Sequence, residues 1–130
     1  MEKDREAGST IMLVEDDEIN RAMLRQLLQK SGYRVVEAGN GPDALEVASR
    51  EHPLLILMDL DLPGLDGIGA TRRIREQAEL REIPIVMTTA FDTPAIREAA
   101  YDAGCNEFLV KPLDSTKLKE LLGSFSLESR

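Results

Sequence analysis

Short apolar runs alternate with helix-period stretches five times along this chain. The runs fall at residues 11–14, 54–58, 85–88 and 108–110, with the pair Val35-Val36 as a shorter fifth. Between them apolar residues recur at helical spacing. Ile19, Met23, Leu24, Leu27 and Leu28 share one predicted face, closed by Ser31-Gly32, and Ala44, Leu45, Val47 and Ala48 follow Pro42 at a helix start. A turn at Pro63-Gly64-Leu65-Asp66-Gly67 precedes Ile68, Thr71, Ile74 and Ala78, and Thr93-Pro94 opens a fourth helix with Ile96, Ala99, Ala100 and Ala103 that stops at Gly104. Asp114 caps a fifth, carrying Leu118, Leu121 and Leu122 inward. Strands that read as continuous apolar runs are covered on both faces, so the pattern predicts an α/β fold with five parallel strands and five helices.

The common doubly wound order for such a chain is 2-1-3-4-5, the flavodoxin-like arrangement, and its strand order reverses between the first and third strands. Ligands bind beyond the carboxyl ends of the strands at that point. The first run ends at Glu15-Asp16, the third at Asp59, the fourth at Thr89-Ala90 and the fifth at Lys111-Pro112, while the second is chemically silent. Acid pair, aspartate, threonine and lysine are therefore expected in one crevice. Carboxylates ~4 Å apart repel by about 4 kcal/mol per pair at an effective dielectric near 20, so a cation must sit among them. A hard divalent ion with oxygen ligands fits. Mg²⁺ is favoured over Ca²⁺ because few carboxylates are offered, and zinc is disfavoured because His52 and Cys105 lie away from these strand ends. With the ion present, Asp59 is the natural nucleophile toward phosphorus, Lys111 can neutralise a phosphoryl oxygen, and the Thr89 hydroxyl can hydrogen-bond another.

Composition narrows the classes of partner. The 130 residues suit one domain, expected over 10–123 with polar tails at 1–9 and 124–130. Acidic residues outnumber basic ones by 24 to 16, a net charge of −8, which repels a phosphate polyanion and argues against direct nucleic-acid binding. Cys105 is alone, so an internal disulfide is ruled out and a reducing compartment fits. No apolar stretch has the length of a membrane span and the N-terminus lacks a signal-peptide core, so a soluble cytoplasmic domain is expected.

These residues resemble a known family. Leu13-Val14-Glu15-Asp16-Asp17, the stretch Met58-Asp59-Leu60-Asp61-Leu62-Pro63-Gly64-Leu65-Asp66-Gly67, Thr89-Ala90 and Lys111-Pro112 stand in the order and spacing of a receiver domain of two-component response regulators, chemotaxis-regulator-like, over nearly the whole chain. The resemblance implies that Asp16 holds Mg²⁺ directly, Glu15 through water, and that the Asp61 backbone carbonyl completes the metal site with Asp59. It implies that Asp59 takes a phosphoryl group from a histidine kinase or histidine phosphotransfer protein, that Thr89 and Lys111 bind its oxygens, and that the Lys111–Pro112 bond is cis. Thr89 and Phe108 would form the switch. A downstream protein would read the face of the fourth helix, fifth strand and fifth helix, which also allows a phosphorylation-dependent homodimer. The domain would phosphorylate and dephosphorylate itself rather than turn over an external substrate. Two positions depart from the commonest pattern: the switch aromatic is Phe108, without a hydroxyl, and the residues flanking the water approach are Asp61 and Phe91.

Plainer readings stand beside these. Asp17 and Asp66 read as helix caps, Cys105 as a small buried hydrophobe, and Arg72, Arg73 and Arg75 as a solvated helix face. His52 reads as loop surface, which leaves no phosphohistidine in the chain itself. A haloacid-dehalogenase-type phosphatase is the rival from another class, because Asp59-Leu60-Asp61 mimics its Asp-x-Asp pair, but there the pair follows the first strand and the other acids come late. A flavodoxin-like cofactor carrier would need a Ser/Thr/Gly-rich loop after the first strand. A degenerate receiver used only for binding is the third alternative. Glu18-Ile19-Asn20-Arg21 resembles receivers on hybrid histidine kinases, so a stand-alone regulator and a part of a larger protein both stay open.

Overall fold

The structure is a computed structural model and describes residues 9–125. Five parallel strands, β1 (Thr10–Val14), β2 (Arg34–Ala38), β3 (Leu55–Asp59), β4 (Ile85–Thr89) and β5 (Glu107–Val110), form one sheet in the order β2-β1-β3-β4-β5. Five helices connect and follow them: α1 (Glu18–Lys30), α2 (Gly41–Glu51), α3 (Gly67–Glu76), α4 (Pro94–Ala103) and α5 (Ser115–Ser124). Registers such as Val14↔Met58 and Asp59↔Thr88 align the carboxyl ends of β1, β3 and β4 along one edge.

Each central strand sends alternate residues into two separate cores, which is why the runs lack polar alternation. Met12, Val14, Ile56, Met58 and Met87 pack with Ala44, Ile74, Ala100 and Phe108, whereas Ile11, Leu13, Leu55, Leu57 and Val86 pack with Leu24, Leu28, Leu118, Leu121 and Leu122. Aspartate and threonine caps start the helices: Asp17, Asp66, Thr93 and Asp114 accept N–H bonds from Asn20, Gly69, Ile96 and Lys117, and Asn40 does the same for Asp43 at α2. Gly104, at φ 116, ends α4 in the left-handed region. Gly67 has a different reason, since an added Cβ would lie 2.5 Å from the Asp59 carbonyl oxygen, and α3 starts directly against the end of β3.

Four details differ from the sequence pattern. Ile19 is 80% exposed and Met23 44%, so the inner face of α1 is narrower than its periodicity indicates. Ala78 lies beyond α3, in a 3₁₀ turn over Ala78–Leu80, because the helix ends at Glu76. Arg75 is not solvated like Arg72 and Arg73: it donates to the Gly104 and Leu80 carbonyls and to Asn106 Oδ1, tying α3 to the start of β5. At the ends, Ser9 is buried with its carbonyl accepting the Arg34 N–H, α5 continues through Ser124, and Phe125 packs on the core; the remainder of the expected tails lies outside the described residues.

Candidate functional site

Glu15 follows the last residue of β1, and its N–H donates to the Ala38 carbonyl at the end of β2 (3.1 Å). Its side chain is 3% exposed and both oxygens are engaged: Oε1 accepts from Lys111 Nζ at 3.1 Å and Oε2 from the Asp17 N–H at 3.1 Å. Asp16, the next residue, is exposed, and its carboxylate has no partner among the described residues. Asp59 closes β3 and is 2% exposed, with Oδ2 3.1 Å from Lys111 Nζ and Oδ1 accepting the Asp61 N–H at 3.1 Å. The carboxylate groups of Glu15, Asp16 and Asp59 each offer an oxygen within 4.8 Å of the others.

Lys111, from the end of β5, bridges two of the three acids. One ammonium against three carboxylates leaves these four side chains two charges negative when ionised. Burial, followed by the Asp59 charge, raises the Glu15 carboxyl above its usual range, although the Asp17 N–H and Lys111 oppose this. Burial alone would lower the Lys111 ammonium, but its bonds and charge contacts with Asp59 and Glu15 outweigh it and leave the group raised. The donor set suits a small hard cation: oxygen ligands only, few of them from protein, and one unpartnered carboxylate at the mouth. Glu15, Asp16 and Asp59 are the acids that could hold such an ion.

Thr89 ends β4 and is fully buried. Its hydroxyl donates to Asp61 Oδ2 (3.2 Å) and accepts from the Phe91 N–H (3.1 Å). Asp61 therefore touches both Asp59 and Thr89, a double role for its N–H and side chain that sequence reasoning missed. Phe108 lies outside the acid cluster, paired with Met87 across β4 and β5 and 4% exposed, with the Arg97 guanidinium 4.8 Å from its ring centroid. The Lys111–Pro112 peptide bond is cis. A shallow depression beside the cluster is lined by Asn20, Met23, Lys111 and Pro112.

The profile of the family described as response regulator receiver domain matches residues 11–123. The polar-differentiation response regulator DivK of Brucella ovis is 35% identical over 116 residues, spanning 89% of this chain and 94% of that one. The receiver domain of a sensor histidine kinase from Pseudomonas aeruginosa PAO1, solved with a magnesium ion coordinated in its active site cleft, is 39% identical with a TM-score of 0.84, covering 91% of this chain and 97% of the other. Chemotaxis protein CheY4 of Vibrio cholerae is 27% identical with a TM-score of 0.86 over 90% of this chain and 98% of its own.

Proposed function

This chain belongs to the response regulator receiver domains of two-component signal transduction, and from that premise we propose that residues 10–123 form a receiver whose Asp59 accepts a phosphoryl group in the presence of Mg²⁺. The observation that carries the proposal is the Asp59 carboxylate, buried at a strand end within reach of two other acids and one lysine. A buried acid in such a cluster is unfavourable without a use for it. In the transfer, an Asp59 oxygen forms a bond to phosphorus as the phosphorus–nitrogen bond of a donor phosphohistidine breaks. The bonding pair goes to the imidazole, which takes up a proton. Bound Mg²⁺ would supply positive charge to the phosphoryl oxygens. Lys111 leaves its bridge to the carboxylates to meet one such oxygen, and the Thr89 hydroxyl exchanges Asp61 for another.

The donor is a histidine kinase or histidine phosphotransfer protein. It must seat over the mouth of the site, where Met23 of α1 and Pro112 line one depression and Ile19 of the same helix is exposed. The output face is α4, β5 and α5, roughly residues 91–122, where a downstream protein or a second copy would dock. Asp61 and Phe91 flank the route by which water reaches the phosphoryl group, and they tune its lifetime rather than its formation. The chain acts as a phosphorylated signal carrier and not as a turnover enzyme. No helix among the described residues is long and apolar enough to cross a membrane, and a cytoplasmic location accords with the proposed phosphohistidine donor.

Intact-mass measurement after treatment with acetyl phosphate tests the assignment. Wild type should gain one phosphoryl group only when Mg²⁺ is present, and Asp59→Asn should gain none. An adduct that persists in Asp59→Asn would overturn it.

A further inference from the structure

Arg21, in the first turns of α1, divides its guanidinium between two groups on either side of the acid loop. Nη1 donates to the Glu15 carbonyl at 2.7 Å and Nε to Glu37 Oε1 on β2 at 3.1 Å. Glu37 is held in turn by Arg25 Nη1, 3.0 Å from each of its oxygens. The Glu15 carbonyl belongs to the peptide that joins Glu15 to Asp16. With the Glu15 N–H fixed on Ala38, the backbone is pinned on both sides of Glu15. Asp16 has no side-chain hydrogen bond or ion pair among the described residues, so no such contact helps that peptide to aim it. Repulsion from Glu15 and Asp59 acts to swing it away. Space for the clamp is left at Gly39, where an added Cβ would lie 3.3 Å from Arg21 Nη1.

We propose that Arg21 is a positioning residue for the metal site, holding the Glu15–Asp16 peptide to β2 through Glu37 so that the Asp16 carboxylate is aimed before the ion arrives. The proposal rests on the reading of Asp16 as a metal ligand. It gives Arg21 an effect opposite in sign to its charge. Removing a cation near a cation site tightens Mg²⁺ by Coulomb's law alone, whereas removing the clamp weakens it.

Calorimetric Mg²⁺ titrations of wild type, Arg21→Gln and Arg25→Gln separate the two effects. Arg25→Gln also loses an ion pair with Glu37 but leaves the Glu15 carbonyl bond in place. Arg21→Gln should bind Mg²⁺ about tenfold more weakly, and Arg25→Gln should match wild type. Hydrogen exchange without metal should be faster at the Asp17 amide, which donates to Glu15, in Arg21→Gln alone. Gly39→Ala, which keeps every charge but crowds the guanidinium, should fall between. Unchanged or tighter Mg²⁺ binding in Arg21→Gln, or equal weakening in Arg25→Gln, would overturn the positioning role while leaving the metal site standing. A wild-type chain that takes up no Mg²⁺ would remove both.

Discussion

Glu15 and Asp16 are adjacent in the chain and opposite in environment. Glu15 is buried with both oxygens engaged, and Asp16 is exposed with its carboxylate unpartnered. Asp16→Ala should therefore weaken Mg²⁺ more than Glu15→Ala, for which about a tenfold loss is expected of a group acting through another. Calorimetry on both variants checks the ranking, and equal, unimpaired affinities would move the ion elsewhere. Cys105 provides a test away from the site, because burial pushes its thiol up to about 11. The unfolded thiol ionises first, so the stability this group contributes is complete below about pH 9 and is lost as pH rises through about 11. Urea midpoints should fall more steeply across that window in wild type than in Cys105→Ala. At this scale the sequence made the acids, the lysine and the caps legible, since each sits at a strand or helix end marked by the apolar pattern. Arg75 and Arg21 were not legible. Their partners, Asn106 and Glu37, lie 31 and 16 residues along the chain, and only the folded sheet brings them near.

Elements were read to within a residue or two where both faces are covered. Periodicity misled on α1 because it assigns a face without saying how far neighbouring elements cover it. Ile19 and Met23 stay exposed while Leu24 and Leu28 of the same helix are buried. Helix α3 contains the one buried side-chain polar atom without a hydrogen-bond partner among the described residues, Thr71 Oγ1. An unpartnered buried hydroxyl costs about 1–3 kcal/mol, and valine has nearly the same shape. Thr71→Val should stabilise the domain by about 1 kcal/mol, read as a higher urea midpoint at unchanged slope. A lower midpoint would mean that the hydroxyl has a partner in solution. Between α4 and β5, Phe108 is already buried beneath Arg97, and Asp92 grips that arginine at 2.7 Å. The ring therefore already lies inward, so the proposed switch at Phe108 would act through a change in what covers it rather than through an inward turn. With no tryptophan in the chain, Phe108→Trp supplies a single reporter. Its emission should change on adding beryllofluoride with Mg²⁺, and Thr89→Ala should blunt the change. An unchanged spectrum despite demonstrated binding would make Phe108 a fixed core residue.

For the whole molecule, the strand order joins elements distant in sequence, and every strand pairing is parallel and needs a crossover. Glu15, Asp16 and Asp59 all lie in the N-terminal half, while Lys111 arrives with the last strand. When β1 and β3 pair, their acids meet before the internal cation is necessarily in place. On a route in which these strands pair first, the sheet is assembled against its own charge. Pairings of high sequence separation are slow to form even without such a penalty. Dissolved Mg²⁺ or raised ionic strength should speed refolding in stopped-flow measurements, and Glu15→Gln should refold faster than wild type in metal-free buffer. Rates indifferent to all three would place the meeting of the acids after the rate-limiting barrier. The arrangement that readies the domain to receive a phosphoryl group would then also govern how quickly a newly made chain becomes a receiver at all, with cellular magnesium acting as an aid to its maturation.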